Sequence, residues 1–259
     1  MNRLIRTEML KLHTMRSTYG LGISAAVITG LFAALEATRA GRKVAPISTA
    51  HGLSTVSTAT GMAMIFAAIL GVLLASGEYR HASATLTYLA TPRRGRVLAA
   101  KAIAAAIAGL AYGILAGLVA TGTALVFIVA HHDHVTLSTG TLAWHVAGAG
   151  LGAALLAAIG VAIGSLIRAQ VPGIIGMLVW CLVIESILGG SVTAVRPYLP
   201  YTVATTLGGA KLGAGAFGPG YTVSDQHALP FAVAVVALAA LGGLLALLAA
   251  RTTVRHDIT

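Results

Sequence analysis

The chain alternates long apolar runs with short polar stretches. Six apolar runs stand out, roughly 18–35, 55–76, 102–130, 142–167, 173–188 and 229–250. A helix that crosses the hydrocarbon core of a bilayer needs about 20 mostly apolar residues, and these runs approach or exceed that length. The pattern predicts an all-α, polytopic membrane bundle of six transmembrane helices, forming one domain over 1–259. Residues 1–17 precede the first run and follow a different rule. Leu4, Ile5, Met9, Leu12 and Met15 fall on one arc of a helical wheel, with Arg3, Arg6, Thr7, His13 and Thr14 on the other side. Such a helix lies in the membrane interface with its cations toward the headgroups. Leu10 is off the apolar arc and Glu8 falls within it. Either both are partly exposed, or Glu8 pairs with a cation of the loop after the second run.

That loop, 77–101, reads GEYRHASATLTYLATPRRGRVLAAK and carries Arg80, Arg93, Arg94, Arg96 and Lys101 against the single acid Glu78. Residues 82–91 hold neither Gly nor Pro, and Pro92 disfavours α geometry at Thr91. The expectation is a short amphipathic helix followed by a basic anchor, a segment suited to docking on a partner. The polar stretch 36–54 is expected as an outer loop. His131, His132, Asp133 and His134 form an outer turn, and Arg168 to Pro172 a very short inner connection. The Gly-rich segment 189–228 is a larger outer loop, in which 200–212 is expected as a short, partly buried helix.

Composition agrees with a membrane chain. Of its 259 residues 57% are hydrophobic and 9% charged, with a mean hydropathy of +0.89. A soluble domain carries about 25% charged residues. The formal net charge is +10. Its cations flank apolar runs, as in proteins that meet anionic headgroups, and no basic groove or aromatic stacking motif accompanies them, so nucleic acid is set aside. Placing both termini inside puts Arg3, Arg6, Lys11, Arg16, Arg80, Arg93, Arg94, Arg96, Lys101, Arg168, Arg251 and Arg255 on the cytoplasmic side. Arg39, Arg42, Lys43, Arg196 and Lys211 then lie outside, giving twelve against five of the 17 Lys and Arg. That asymmetry follows the positive-inside rule, although the first outer loop runs against it.

The residues permit little chemistry. No GxxxxGK[ST], HExxH or GxSxG pattern occurs, so no ATPase, metal cofactor or catalytic centre is expected on this chain. The histidine-rich turn is the nearest approach to a metal site, but adjacent ligands need help from elsewhere to converge on one ion. Cys181, the one cysteine, excludes an intrachain disulfide and reads as a packing residue. Glu185 is the main acid within a span. An intramembrane acid is costly and is a functional candidate by default. It either belongs to a translocation path, pairs with Arg196, or reaches the interface or a polar packing site. His145 reads as a packed or interfacial histidine, and Tyr112, Trp144 and Trp180 as packing or interface residues.

Three stretches, RTEMLKLHTMRST, EYRHASATLTYLATPRRGRVLAAK, and WCLVIESIL with YLPYTVATTL, resemble the permease subunits of bacterial type-2 ABC exporters. The resemblance covers nearly the whole chain and is most specific over 78–101. It implies a permease that works as a homodimer or heterodimer in the bacterial plasma membrane and binds ATPase subunits on a separate polypeptide. It further implies a coupling helix after the second span. Glu78, Tyr79, Arg80, Thr85, Leu86 and Leu89 are then the coupling surface, and Arg93, Arg94 and Arg96 anchor the start of the third span. The function implied is export of a drug, antibiotic, peptide or lipid, driven by ATP hydrolysis on the partner. A non-transporting anchor or sensor subunit of an immunity or signalling complex is the alternative.

Overall fold

The computed structural model describes residues 1–43, 47–80, 94–132, 137–192, 194–210 and 229–255, with backbone alone at 2, 39–43, 50, 78–80, 94 and 252–255. Every regular element among them is helical. In chain order these are α1 (Asn2–Thr14), α2 (Arg16–Lys43), α3 (Ala50–Ser57), α4 (Thr60–Arg80), α5 (Arg94–Ala130), α6 (Thr139–Ile167) and α7 (Gln170–Val179). A π-helical turn (Trp180–Ile184) joins α7 to α8 (Glu185–Ser191). A 3-10 turn (Arg196–Tyr198), α9 (Pro200–Leu207) and α10 (Phe231–Arg255) follow. Among the described residues six stretches are long and apolar enough to cross a membrane: Arg16–Thr38, His51–Gly77, Gly95–Ala130, Thr139–Ile167, Gln170–Ser191 and Phe231–Arg251. They coincide with the six apolar runs.

The helix ends follow local chemistry. Ser138 caps α6 by accepting a hydrogen bond from the Thr141 amide at 3.1 Å, and Thr49 caps α3 by accepting from Gly52 at 3.2 Å. Arg168 ends α6 in the left-handed conformation, φ 57°, and α7 begins two residues later. Pro172 falls in the first turn of α7, where its missing N–H breaks no helical bond. At 37 residues, α5 is about 55 Å long at ~1.5 Å per residue. That exceeds a hydrocarbon core of about 30 Å, so the helix extends beyond it.

Small residues decide the packing. Without a hydrophobic drive between helices in lipid, close backbone approach supplies the contact energy. A Cβ on Gly160 would collide with the Ala68 carbonyl, and one on Gly164 would lie 2.7 Å from the Val72 carbonyl. Gly152 meets Met64, Gly160 meets Ala68 and Gly164 meets Val72, so α4 and α6 run parallel. Gly109 meets Ala153, Gly113 meets Ala149 and Gly117 meets Val146, so α5 and α6 run antiparallel. The second and fourth spans form the interior, with 83% and 67% of their apolar windows buried. The fifth and sixth, at 22% and 11%, lie at the periphery.

The stretch 36–54 departs from the expected loop. The α2 helix continues to Lys43, and α3 begins at Ala50, packed against α2 and α5. Leu53 and Val56 on α3 are fully buried beside Ala33, Ala37 and Ala124. Polarity ended the apolar pattern before the helix itself ended, because α3 shields the extension of α2. The coupling helix expected at 82–91 lies outside the described residues.

Candidate functional site

Two polar clusters are built into this apolar bundle, one at each end. The first joins α1 to the start of α5. The apolar arc of α1 faces the protein, with Leu12 buried and Leu10 65% exposed. Glu8 is 4% exposed, and its carboxylate accepts from Lys11 Nζ at 2.8 Å and from Lys101 Nζ at 3.1 Å. Lys101 is as deeply buried, at 3%. Of the two explanations for an acid on the apolar arc, pairing with a cation of the 77–101 segment is the one observed. Lys101 itself carries a signal in the sequence: it follows Val97 by one turn and precedes Ala104 and Ala105, all buried, so it shares their face. The α1 helix packs mainly on α5 rather than on α2. A second tie strengthens this end, for the Tyr112 hydroxyl on α5 donates to the Thr18 carbonyl of α2.

The other sequence-derived residues of this end are placed in part. Glu78, Tyr79 and Arg80 form the last turn of α4, and Arg94 and Arg96 the first turn of α5, with Arg96 exposed. The parallel run of α4 with α6, and the antiparallel run of α5, bring both turns to the end that carries α1. Thr85, Leu86, Leu89 and Arg93 lie outside the described residues.

The second cluster is at the opposite end. Glu185, at the start of α8, is 4% exposed. Its carboxylate accepts from Trp180 Nε1 at 2.8 Å, from the backbone amides of Tyr201 at 2.8 Å and Thr202 at 2.9 Å, and from Thr202 Oγ1 at 3.1 Å. It therefore caps the N-terminus of α9, which has no side-chain cap from its own N-cap residue, Leu199. Its negative charge also suits the positive end of that helix. No ion pair joins Glu185 to Arg196 among the described residues. Arg196 packs its stem near Gly189 instead, and burial lowers its pKa from the ordinary arginine value. Burial likewise raises the pKa of the Tyr201 phenol.

His145 of α6 holds the other end of α9. Its Nδ1 lies 2.8 Å from Ser57 Oγ and 3.1 Å from the Gly208 carbonyl. The Ser57 hydroxyl donates to the Leu53 carbonyl at 2.9 Å. Its single hydrogen is thereby committed, so Nδ1 carries the proton and donates to Ser57 and Gly208. The ring thus ties α3, α6 and the turn after α9 together. This role was not legible in the sequence, because Ser57 and Gly208 are far from His145 along the chain. Cys181 is buried, consistent with packing. Trp144 lies against Phe231, ring centroids 4.6 Å apart. Among the described residues no His, Cys, Asp and Glu cluster could hold a metal. His131 bonds its own helix at Phe127, and Asp133 and His134 lie outside the described residues.

No curated protein matches the chain in a sequence search. A family model described as ABC-2 family transporter protein matches residues 4–198. The match takes in α1, the first five spans and Glu185. With that coverage and six membrane-crossing helices, the chain belongs to the ABC-2 transporter family and is a multi-pass membrane permease of the ABC type.

Proposed function

We propose that the chain is the membrane subunit of an ATP-driven exporter, moving a drug, antibiotic, peptide or lipid out of the bacterial cell across the plasma membrane. ATP is hydrolysed on a separate ATPase polypeptide. The permease works as a homodimer or heterodimer, with both termini in the cytoplasm, where the cation excess belongs. The loop between α4 and α5 carries the coupling surface, with Glu78, Tyr79, Arg80, Thr85, Leu86 and Leu89 toward the ATPase and Arg93, Arg94 and Arg96 as its basic anchor. Nucleotide state biases the spans only through contacts that differ between the two conformations.

The observation that supports this reading most directly is the buried Glu8–Lys101 pair. It fastens the interfacial helix to the helix that leaves the loop, so a displacement there has a stiff route into α1. The test is co-purification. A soluble P-loop ATPase from the same genome should bind the intact chain and show increased ATP hydrolysis with it. Glu78→Ala and Leu86→Asp should weaken that association while the six spans still insert. An ATPase that binds both variants as it binds the parent chain removes the loop from this role.

A further inference from the structure

We infer that the elbow where α1 gives way to α2 is a seat for one anionic phospholipid of the inner leaflet, and that this lipid holds α1 down on α5. Such a seat works without the ATPase, and only its leaflet rests on the proposed cytoplasmic N-terminus.

The charges at this end are sorted. Glu8 is the one acid among residues 1–35, and it is turned inward onto Lys101 and Lys11. The outward side is left with cations alone. Arg3, Arg6, His13 and Arg16 are exposed, and no salt bridge reaches them among the described residues. Arg3 is remote from the elbow, since ten residues of helix separate it from His13, about 15 Å at ~1.5 Å per residue. His13 and Arg16 flank the elbow itself. The α1 helix ends at Thr14, Met15 is extended with ψ 116°, and α2 starts at Arg16. Tyr19 fixes the turn: its hydroxyl donates to the His13 carbonyl at 3.2 Å and lies 2.7 Å from His13 Nδ1. The His13 ring and the first turn of α2 are thereby held in a set relation.

Toward the membrane centre the same side of α2 is shaped for a chain. Arg16, Gly20, Ile23, Val27 and Leu31 follow at intervals of four, three, four and four, which places them on one face. The last three side chains are 60–65% exposed. A Cβ on Gly20 would meet nothing within 4 Å, so the face has a depression one turn below Arg16. Gly20 to Leu31 covers about 16 Å, close to half of a ~30 Å hydrocarbon core, the depth of one leaflet. An anionic headgroup on His13 and Arg16, a glycerol in the depression and an acyl chain along Ile23, Val27 and Leu31 match these surfaces in order. A zwitterionic headgroup brings its own cation. A second copy of the chain, packed in parallel here, would set like charges against one another. Because His13 belongs to α1 and Arg16 to α2, the headgroup bridges the two helices. Detachment of α1 carries His13 away, so bound lipid favours the seated elbow by mass action.

The test titrates the full chain in mixed micelles with chain-labelled fluorescent phosphatidylglycerol or phosphatidylcholine. Phosphatidylglycerol should bind at least tenfold more tightly, and the margin should shrink as salt is raised. Arg16→Gln should weaken its binding about fivefold, the worth of one basic residue at an anionic surface. Arg3→Gln makes the same change of charge away from the elbow and should cost less than twofold. That contrast separates a seat from a diffuse basic surface. Gly20→Phe fills the depression without touching a neighbour or a charge, and should weaken binding by a factor like that of Arg16→Gln, whereas Gly20→Ala should leave it near the parental value. Protease cleavage near Met15 should slow with phosphatidylglycerol and not with phosphatidylcholine. Equal affinity for the two lipids, equal losses from Arg3→Gln and Arg16→Gln, or full binding by Gly20→Phe overturns the seat. So does Ile23→Cys in a Cys181→Ala background if oxidation gives a disulfide-linked dimer, which would assign the face to a second copy. None of these measurements involves the ATPase, so their failure leaves the exporter reading in place.

Discussion

Removing one member of the Glu8–Lys101 pair should have unequal consequences depending on which member goes. The side chains of Glu8 and Lys101 are 5% and 4% exposed and 3.1 Å apart. At an effective dielectric of about 20 their attraction is ~5 kcal/mol, most of it offset by desolvation. Taking away one partner of such a buried pair costs about 3–5 kcal/mol. Glu8→Met removes the carboxylate that accepts from both Lys11 and Lys101 and should fall in that range. Lys101→Met should cost less, about 1–2 kcal/mol, because Glu8 keeps Lys11 at 2.8 Å, a half-exposed partner of modest worth. The double variant Glu8→Met/Lys101→Met should be milder than the sum of its single changes, by a coupling energy of about 1–3 kcal/mol. The assay is reversible unfolding of the purified chain in mixed micelles, run as a double-mutant cycle. Protease cleavage near Met15 would report whether α1 has come away from α5. Additive single and double changes, within about 0.5 kcal/mol, would refute the view that the two charges hold one another.

Other consequences follow from the packing and the caps. Gly160→Val places methyls against the Ala68 backbone and should destabilise the bundle by at least ~1–3 kcal/mol, visible as a lower unfolding midpoint or loss of the monodisperse protein. Gly209→Ala combines a left-handed backbone with a collision against the His145 ring, and should cost more than Gly190→Ala, where nothing lies within 4 Å; paired melting curves compare the two. Tyr112→Phe deletes the hydroxyl that donates to Thr18 and should cost about 1 kcal/mol by the same unfolding assay. A reporter active only in the cytoplasm, fused after Thr259, should be active, whereas one active only outside the membrane should be silent.

Much of the architecture could be read without coordinates, for a reason particular to membranes. Lipid offers no partners to a backbone, so a long apolar run must be a helix. The short helix at Pro200 was legible in its start but not its end: the expectation ran over 200–212, and the helix stops at Leu207, before Gly208 and Gly209. The amphipathic α1 was also legible. The extension of α2 past Glu36 was not, because polar residues there are compatible with a helix once α3 covers one side. Glu8 shows the boundary most clearly. Its position on an apolar arc allowed either partial exposure or a pairing with a cation of the 77–101 loop, and only the burial of Glu8 against Lys101 decided between them.

Glu185 and His145 stand on the other side of that boundary. An acid within a span announces cost and therefore purpose, yet the purpose depends on what lies opposite. The amides of Tyr201 and Thr202 that satisfy it are 16 and 17 residues away, and Ser57 is 88 residues from His145. Hydropathy is a local property, carried by each stretch of chain in turn, and it assigns spans one at a time. Hydrogen bonds between spans depend on rotation, depth and close approach, which the glycine seams set for the bundle as a whole.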